Sequence, residues 1–396
     1  MKTSIQLVIT VCLLSPALSH AETKQTDNKI VIGSPERQNI CGITALEKDL
    51  KTDMQKFKAV YNKYEEHGEP VAGPQKYCGV EYAYRALELG KQLFPEDSKN
   101  VANLAYNYAV SYTESYQFVE KSSITYAVER FEVAFEKDSA ELLPVYKAAC
   151  EAGIEDKQKP KDRYCTRAIT LSKKLHGKDS LEYVDTVLSV SSTMLIDPSY
   201  YWEENKNLLL STRNILINKG ADKDLRIARI NFSLGKLQAS LNRHKVAVGY
   251  FEEALEILDK PQFISNNLTL TTHAFMVESL ENLGMKEEAT KHCLAISRVS
   301  PSVGSKDMEP LFRLTPEFPE DALKADAQGR VLIEFIVDES GMVVNPKVVT
   351  STANYKILED VSLATIKKYR YAPRIVSGKP VATEGVKQYF SFKIAQ

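Results

Sequence analysis

Metal ligands and nucleophiles are the residues to weigh first, and in this sequence they do not gather. Beyond residue 21 the histidines are His67, His176, His244, His273 and His292. None has the His-x-x-x-His spacing that sets two imidazoles on one helix face around a metal. His292-Cys293 is the one adjacent pair of soft ligands, and Cys293 falls on an apolar helical position, so it reads as a packing residue. Carboxylate pairs such as Glu252-Glu253 and Glu287-Glu288 lie where an amphipathic helix turns to solvent. There is no Gly-x-Ser-x-Gly elbow, phosphate loop or dinucleotide fingerprint. The expectation is a chain with no catalytic residue, no metal and no cofactor, not an enzyme; a redox or hydrolytic role would rest on Cys293 alone.

Cysteine offers a different chemistry, cross-linking. The start of the chain looks built for export: Lys2, an apolar run from Ile5 to Leu14, then Ser19-His20-Ala21 as small residues at a cleavage site. Even extended to Leu18, the run is shorter than the roughly 20 residues a spanning helix needs. Residues 1–21 are therefore expected to be a cleaved signal peptide, with an uncleaved inner-membrane anchor as the alternative. Cys12 sits inside the apolar run behind bulky Val11, a poor site for lipid attachment. In an oxidising compartment the economical pairs are Cys41 with Cys78 and Cys150 with Cys165, leaving Cys293 alone; five separate buried thiols are the other reading. With 51 basic and 52 acidic residues, the charge balance proposes neither nucleic acid nor an acidic membrane as partner. No later segment reaches spanning length, so the mature chain is expected to be soluble.

Residues 22–41 carry Gly33, Ser34 and Pro35 without apolar periodicity and read as a flexible lead-in. Residues 42–300 repeat their apolar positions at three and four and read as helix throughout. Within them recurs a small, large, small-or-apolar triplet: Ala127, Phe131, Ala134; Ala247, Phe251, Ala254; Ala289, Cys293, Ile296. Leu234-Gly235 precedes the second of these, placing a small residue where two antiparallel helices cross closely. Ala83, Ala127, Ala168, Ala247 and Ala289 suggest about six units near 40 residues, and Pro95 and Pro301 stop helices alike. The pattern resembles the tetratricopeptide repeat, with HEAT-type repeats sharing the longer period; a helical-hairpin array covers both, and such an array offers a concave face for a protein segment. Residues 301–312, broken by Pro301, Gly304 and Pro310, read as a linker.

After Pro316 the period changes. A short helical piece at 319–326 leads to a strand in which Val331, Ile333, Phe335 and Val337 alternate with their neighbours. Asp338-Glu339-Ser340-Gly341 is a tight turn, and a second strand runs from Met342 to Ser351, with Pro346 marking an edge or bulge. A helix with Ile357, Leu358, Val361 and Ala364 on its apolar face should cover the sheet. Lys367, Lys368, Arg370 and Arg374 read as a solvated helix end, or else as a contact for an anionic partner or peptidoglycan. Beyond the turn Ser377-Gly378-Lys379-Pro380, a last strand spans Val386 to Ile394. The chain is thus expected to be α+β and multidomain, a helical-hairpin array followed by a small αββαβ domain at residues 313–396.

Pro316-x-Phe318-Pro319-x-x-Ala322, Gly329-x-Val331, Phe335-x-Val337-Asp338, Gly341-x-Val343, Tyr369-x-Tyr371-x-Pro373 and Gly378-Lys379-Pro380-Val381 together resemble the TonB C-terminal domain. The resemblance implies a binding unit in the Gram-negative periplasm. In that family the domain grips a short segment of an outer-membrane transporter and passes on force from an inner-membrane proton-driven complex. Such a sheet can take an extended peptide as an added strand. The last strand is the candidate edge, and Phe318, Pro319, Val386, Gln388, Tyr389, Phe390, Ser391 and Phe392 are the candidate partner-binding residues. The family's Tyr-Pro dipeptide is Phe318-Pro319 here, and Phe318 could equally pack as core. The proline-rich spacer and persistent anchor of a family transducer are not expected here, so energy coupling would need another subunit. A periplasmic scaffold without an energy-transducing role is the alternative.

Overall fold

The computed structural model describes residues 7–10, 32–66, 77–116, 120–154, 164–194, 198–263, 266–299, 308–324 and 327–394. The rest of the expected signal peptide, the lead-in before Ile32, His67 and most of the expected linker lie outside these residues. Two compact units result: residues 26–215, and residues 216–396 joined by the strand Leu7–Thr10.

The first unit starts with α1 (Pro35–Ile40) and α2 (Ile43–Glu47). Gly33 to Pro35, expected in a flexible lead-in, instead open α1, with Ser34 as its N-cap and Pro35 in its first turn. Antiparallel helices follow: α3 (Asp53–Glu66), α4 (Cys78–Leu93), α5 (Lys99–Tyr116), α6 (Lys121–Ala134), α7 (Leu142–Glu151), α8 (Tyr164–His176) and α9 (Leu181–Met194). The buried carboxylate of Glu81 anchors the start of α1: its Oε2 accepts the Gly33 N–H at 2.8 Å, and Arg37 lies 3.8 Å from Oε1. Burial raises this carboxyl above its ordinary pKa, opposed by the Gly33 hydrogen bond and Arg37.

Cation–carboxylate pairs reach back along the chain from hairpin to hairpin. Arg85 meets Glu47 at 2.7 Å, Arg130 meets Glu96 at 2.7 Å, Arg167 meets Glu132 at 2.7 Å and Lys174 meets Asp138 at 2.6 Å. At the surface each contributes at most about 1 kcal/mol, so they set register more than stability. Two disulfides act more strongly. Cys41 is joined to Cys78, tying α1 to α4, and Cys150 is joined to Cys165, tying α7 to α8 with Cα atoms 4.7 Å apart. Replacing Cys150 and Cys165 together by serine should lower the stability of this unit by about 3 kcal/mol, read as a shift in its urea midpoint.

The division between the units falls inside α10 (Pro198–Asn218). The second unit continues with α11 (Leu225–Ser240), α12 (His244–Leu258), α13 (Asn267–Asn282) and α14 (Lys286–Val299). Ala247, Phe251 and Ala254 are fully buried, and Phe251 lies against Gly235: a Cβ there would fall 2.4 Å from the phenylalanine ring. The close crossing read from Leu234-Gly235 is therefore made by a ring packed on bare backbone.

The terminal domain holds α15 (Glu320–Lys324), β2 (Gly329–Val337), β3 (Val343–Ser351), α16 (Ile357–Ile366), β4 (Arg374–Val376), β5 (Lys379–Val381) and β6 (Thr383–Ile394). With Leu7–Thr10 as β1, its main sheet is antiparallel in the order β1-β6-β2-β3. Val331, Ile333, Phe335 and Val337 all enter the core, as their alternation requires. The β2–β3 turn needs Gly341 at φ +83, because a Cβ there would meet the Tyr371 carbonyl oxygen at 2.1 Å. Asp338 braces the same turn, its Oδ1 accepting the N–H groups of Ser340 and Met342 at 2.9 Å.

The buried face of α16 runs through Leu358, Ser362, Thr365 and Ile366, while Ala364 is exposed. Leu358 is buried and Ile357 packs on the core as expected, but small polar residues that bond their own helix backbone, as Ser362 does to Leu358, can be buried at little cost, so the face extends past them and leaves Ala364 out. The segment around Ser377-Gly378 is also more than a turn: it closes the separate two-stranded sheet β4-β5, with both turn residues at positive φ.

Candidate functional site

The two sides of the three strands β6, β2 and β3 differ in what they can accept. On the β3 side, Glu334 pairs with Lys347 and Ile336 with Val344, so Asn345 and Pro346 together face Phe335 as a bulge. Asn345 lies at φ +52, and Pro346 has no N–H to offer. That edge is blunted. On the other side, β6 pairs with β2 from Thr383 to Phe392, and its outer edge carries β1 antiparallel: Leu7 opposite Ile394, Val8 opposite Lys393, Ile9 opposite Phe392 and Thr10 opposite Ser391.

The predicted partner-binding residues divide by face. Val386, Phe390 and Phe392 are buried in the domain core with Gln388 on the same side, and their backbone groups turn to β2, so the outer edge is left to the backbone of the alternate residues Lys387, Tyr389, Ser391 and Lys393. Tyr389, expected on an exposed face, is half-buried on the opposite side, where Lys387 and Lys393 are exposed and Ser391 is buried. Glu334 joins this outer face, held between Lys347 at 2.8 Å and Lys387 at 3.7 Å, and the Lys347 hydrogen bond leads the interactions that lower its pKa. Phe318 is half-buried and meets Phe392 edge-on with centroids 5.9 Å apart, so it takes the core-packing option; Pro319, beside it, is half-buried. Gln328, Gly329, Arg330, Thr352, Asn354 and Lys393 line a shallow cavity of about 350 Å³ at the Gly329 end of β2 and the C-terminal end of β6.

Residues 315–394 match the family described as the C-terminal region of the Gram-negative bacterial TonB protein. They form a TonB-type C-terminal domain. The chain is also 32% identical over 95 residues to Protein TonB of Pseudomonas aeruginosa, a stretch that is 24% of this chain and 27% of that one. It thus spans about a quarter of the relative it matches. The crystal structure of BtubC (BKLC) from P. vanneervenii aligns with 65% of this chain and 91% of its own, at 12% identity and a TM-score of 0.35. No helix among the described residues is long and apolar enough to cross a membrane. No three His, Cys, Asp or Glu side chains among them gather as metal ligands would.

What the sequence reading missed is how the TonB-type domain is seated on α13 and α14. Arg370, expected at a solvated helix end, is 2% exposed. Its Nε lies 3.1 Å from Glu281 Oε1 in an ion pair whose N–H does not point at that oxygen. Its Nη2 donates to Thr290 Oγ1 and lies 4.0 Å from the Cys293 thiol. The expected linker takes part: the Arg370 carbonyl accepts the Leu311 N–H at 2.7 Å, the Phe312 carbonyl accepts the Arg370 N–H at 3.0 Å, and Phe312 packs on Val277 and Cys293. The signal was available in Arg370 itself, a lone cation between Tyr369 and Tyr371, both members of the motif that carried the resemblance.

Proposed function

We propose that this is an exported TonB-family binding protein of the periplasm. Its terminal sheet takes an extended segment of an envelope partner, a periplasm-facing part of an outer-membrane transporter, as an antiparallel strand on β6. The observation that supports this is the asymmetry of the sheet: β3 is blunted at Asn345-Pro346, while the outer edge of β6 pairs with an antiparallel strand of this same chain. Leu7–Thr10 lie in the segment we expect to be removed on export, which would leave that edge to a partner. The helical array serves as the handle through which other envelope proteins hold the sheet, and binding rather than catalysis is the activity.

Lys393 provides the test. It pairs with β1 but lies beyond the last β2 partner, Phe392, so proline at this position removes a donor from the outer edge and none from the β2 ladder. The full mature protein should bind labelled peptides from the periplasm-facing ends of outer-membrane transporters, and Lys393→Pro should weaken binding at least about tenfold, roughly 1.4 kcal/mol, without changing its thermal unfolding. Equal binding by both proteins would sink the strand-addition reading. Capture of partners only through residues 26–215 would assign binding to the array and favour a scaffold.

A further inference from the structure

His273 on α13 and His292 on α14 face each other across the last helical hairpin, Nδ1 to Nδ1 at 2.8 Å, and His273 Nε2 lies 3.0 Å from Asp259 Oδ1 at the end of α12. Two imidazole nitrogens at that distance share one proton. With both rings neutral, one Nδ1 donates and the other accepts; a proton added to His273 is still accommodated, since the imidazolium donates to Asp259 and to neutral His292. A second proton is not, because both nitrogens would then present N–H groups to each other between two like charges. The same turn of α14 that carries His292 carries Thr290 and Cys293, two of the groups on which Arg370 is seated.

We infer that the α13–α14 hairpin is an acid-opened joint: protonation of both His273 and His292 parts the two helices and loosens the seat of Arg370, releasing the TonB-type domain from the hairpin. The inference does not depend on which partner the β6 edge binds.

Both rings are held below the ordinary imidazole pKa. Burial lowers the pKa of His273, opposed by Asp259 from α12, and burial, then His273 and Lys291, lower that of His292 to about 4. Neither α11 nor the TonB-type domain contributes a charge to these shifts among the described residues. A histidine depressed below its unfolded value of about 6.5 stabilises the fold above that pH, and the contribution is lost as pH falls from there toward about 4. Glu281 has the opposite sign. Burial raises its pKa, so the folded state takes that proton more readily than the unfolded chain, and acid stabilises through it. Cys293, raised to about 11 by burial, remains a thiol throughout.

Hydrogen exchange of the full chain, corrected for the intrinsic pH dependence of exchange, tests the joint. Between about pH 7 and about pH 4.5, peptides from α13, α14 and residues 308–314 should accelerate about tenfold while those of residues 26–215 hold their rates. His292→Gln keeps a neutral hydrogen-bonding side chain at every pH and should abolish the acceleration, whereas Glu281→Gln should retain it. An unchanged acid response in His292→Gln, or equal acceleration of both units, would overturn the inference. NMR titration of the two imidazoles in the unaltered protein gives an independent check. One ring should stay neutral to below about pH 5; two rings charged near pH 6 with an undisturbed hairpin would refute the joint even if the glutamine variant failed to fold.

Discussion

Replacing Arg370 by alanine should unfold residues 216–396 at denaturant concentrations that leave residues 26–215 intact, at a cost of about 3–5 kcal/mol to the second unit. The substitution strands the Glu281 carboxylate, 7% exposed, whose pKa burial already raises against the pull of Arg370, and it removes the Thr290 hydrogen bond. Taking away both charges should cost far less. In Arg370→Met combined with Glu281→Leu, most of the lost stability should return, because an apolar pair of similar volume carries no desolvation penalty. Urea unfolding followed by hydrogen exchange, which reports each unit separately, checks both variants. If Arg370→Ala unfolds both units together with no loss, the seat is not what holds the domain to the hairpin.

Phe251→Ala should cost a similar amount, about 3–5 kcal/mol, by leaving a cavity where the ring now packs on Gly235 and meets Phe232 and Phe275 with centroids 6.1 and 5.8 Å away. Gly235→Ala fails for the opposite reason, since its new methyl would overlap the ring. A smaller side chain at 251 should therefore make room for that methyl: Gly235→Ala with Phe251→Leu should be more stable than the sum of the losses of those two single variants would give, by about 1 kcal/mol or more. Calorimetry on the four proteins of that cycle measures the coupling, and strict additivity would remove the crossing contact as the explanation.

These outcomes bear on what a sequence can disclose. The crossing at Gly235 was legible because one small residue and one large one recur at a helical interval, and burial follows from that spacing. The β2 strand and the tight turn at Gly341 were legible for equally local reasons: alternation of period two, and a residue able to take positive φ. The chemistry of Arg370 was not, because its partners Glu281, Thr290 and Cys293 lie some 80 residues earlier and no local period links them. The histidines look scattered along the chain for the same reason. His273 and His292 meet only because they stand nearly symmetrically about the Leu283-Gly284 turn of one hairpin, a relation visible once the hairpin is known. At the β6 edge, the strand was readable and the identity of its inward face was not, because Phe390 and Phe392 look as fit for a partner as for a core.

The bulge at Asn345-Pro346 also limits self-association. If a second copy supplied the added strand on β6, the two sheets would merge into one whose outer borders are both β3, each interrupted by a proline and a left-handed asparagine. Nothing further could be added at either border. Growth by edge pairing would stop at two molecules, and the same sheet that offers a docking edge would be unable to run on into a fibre.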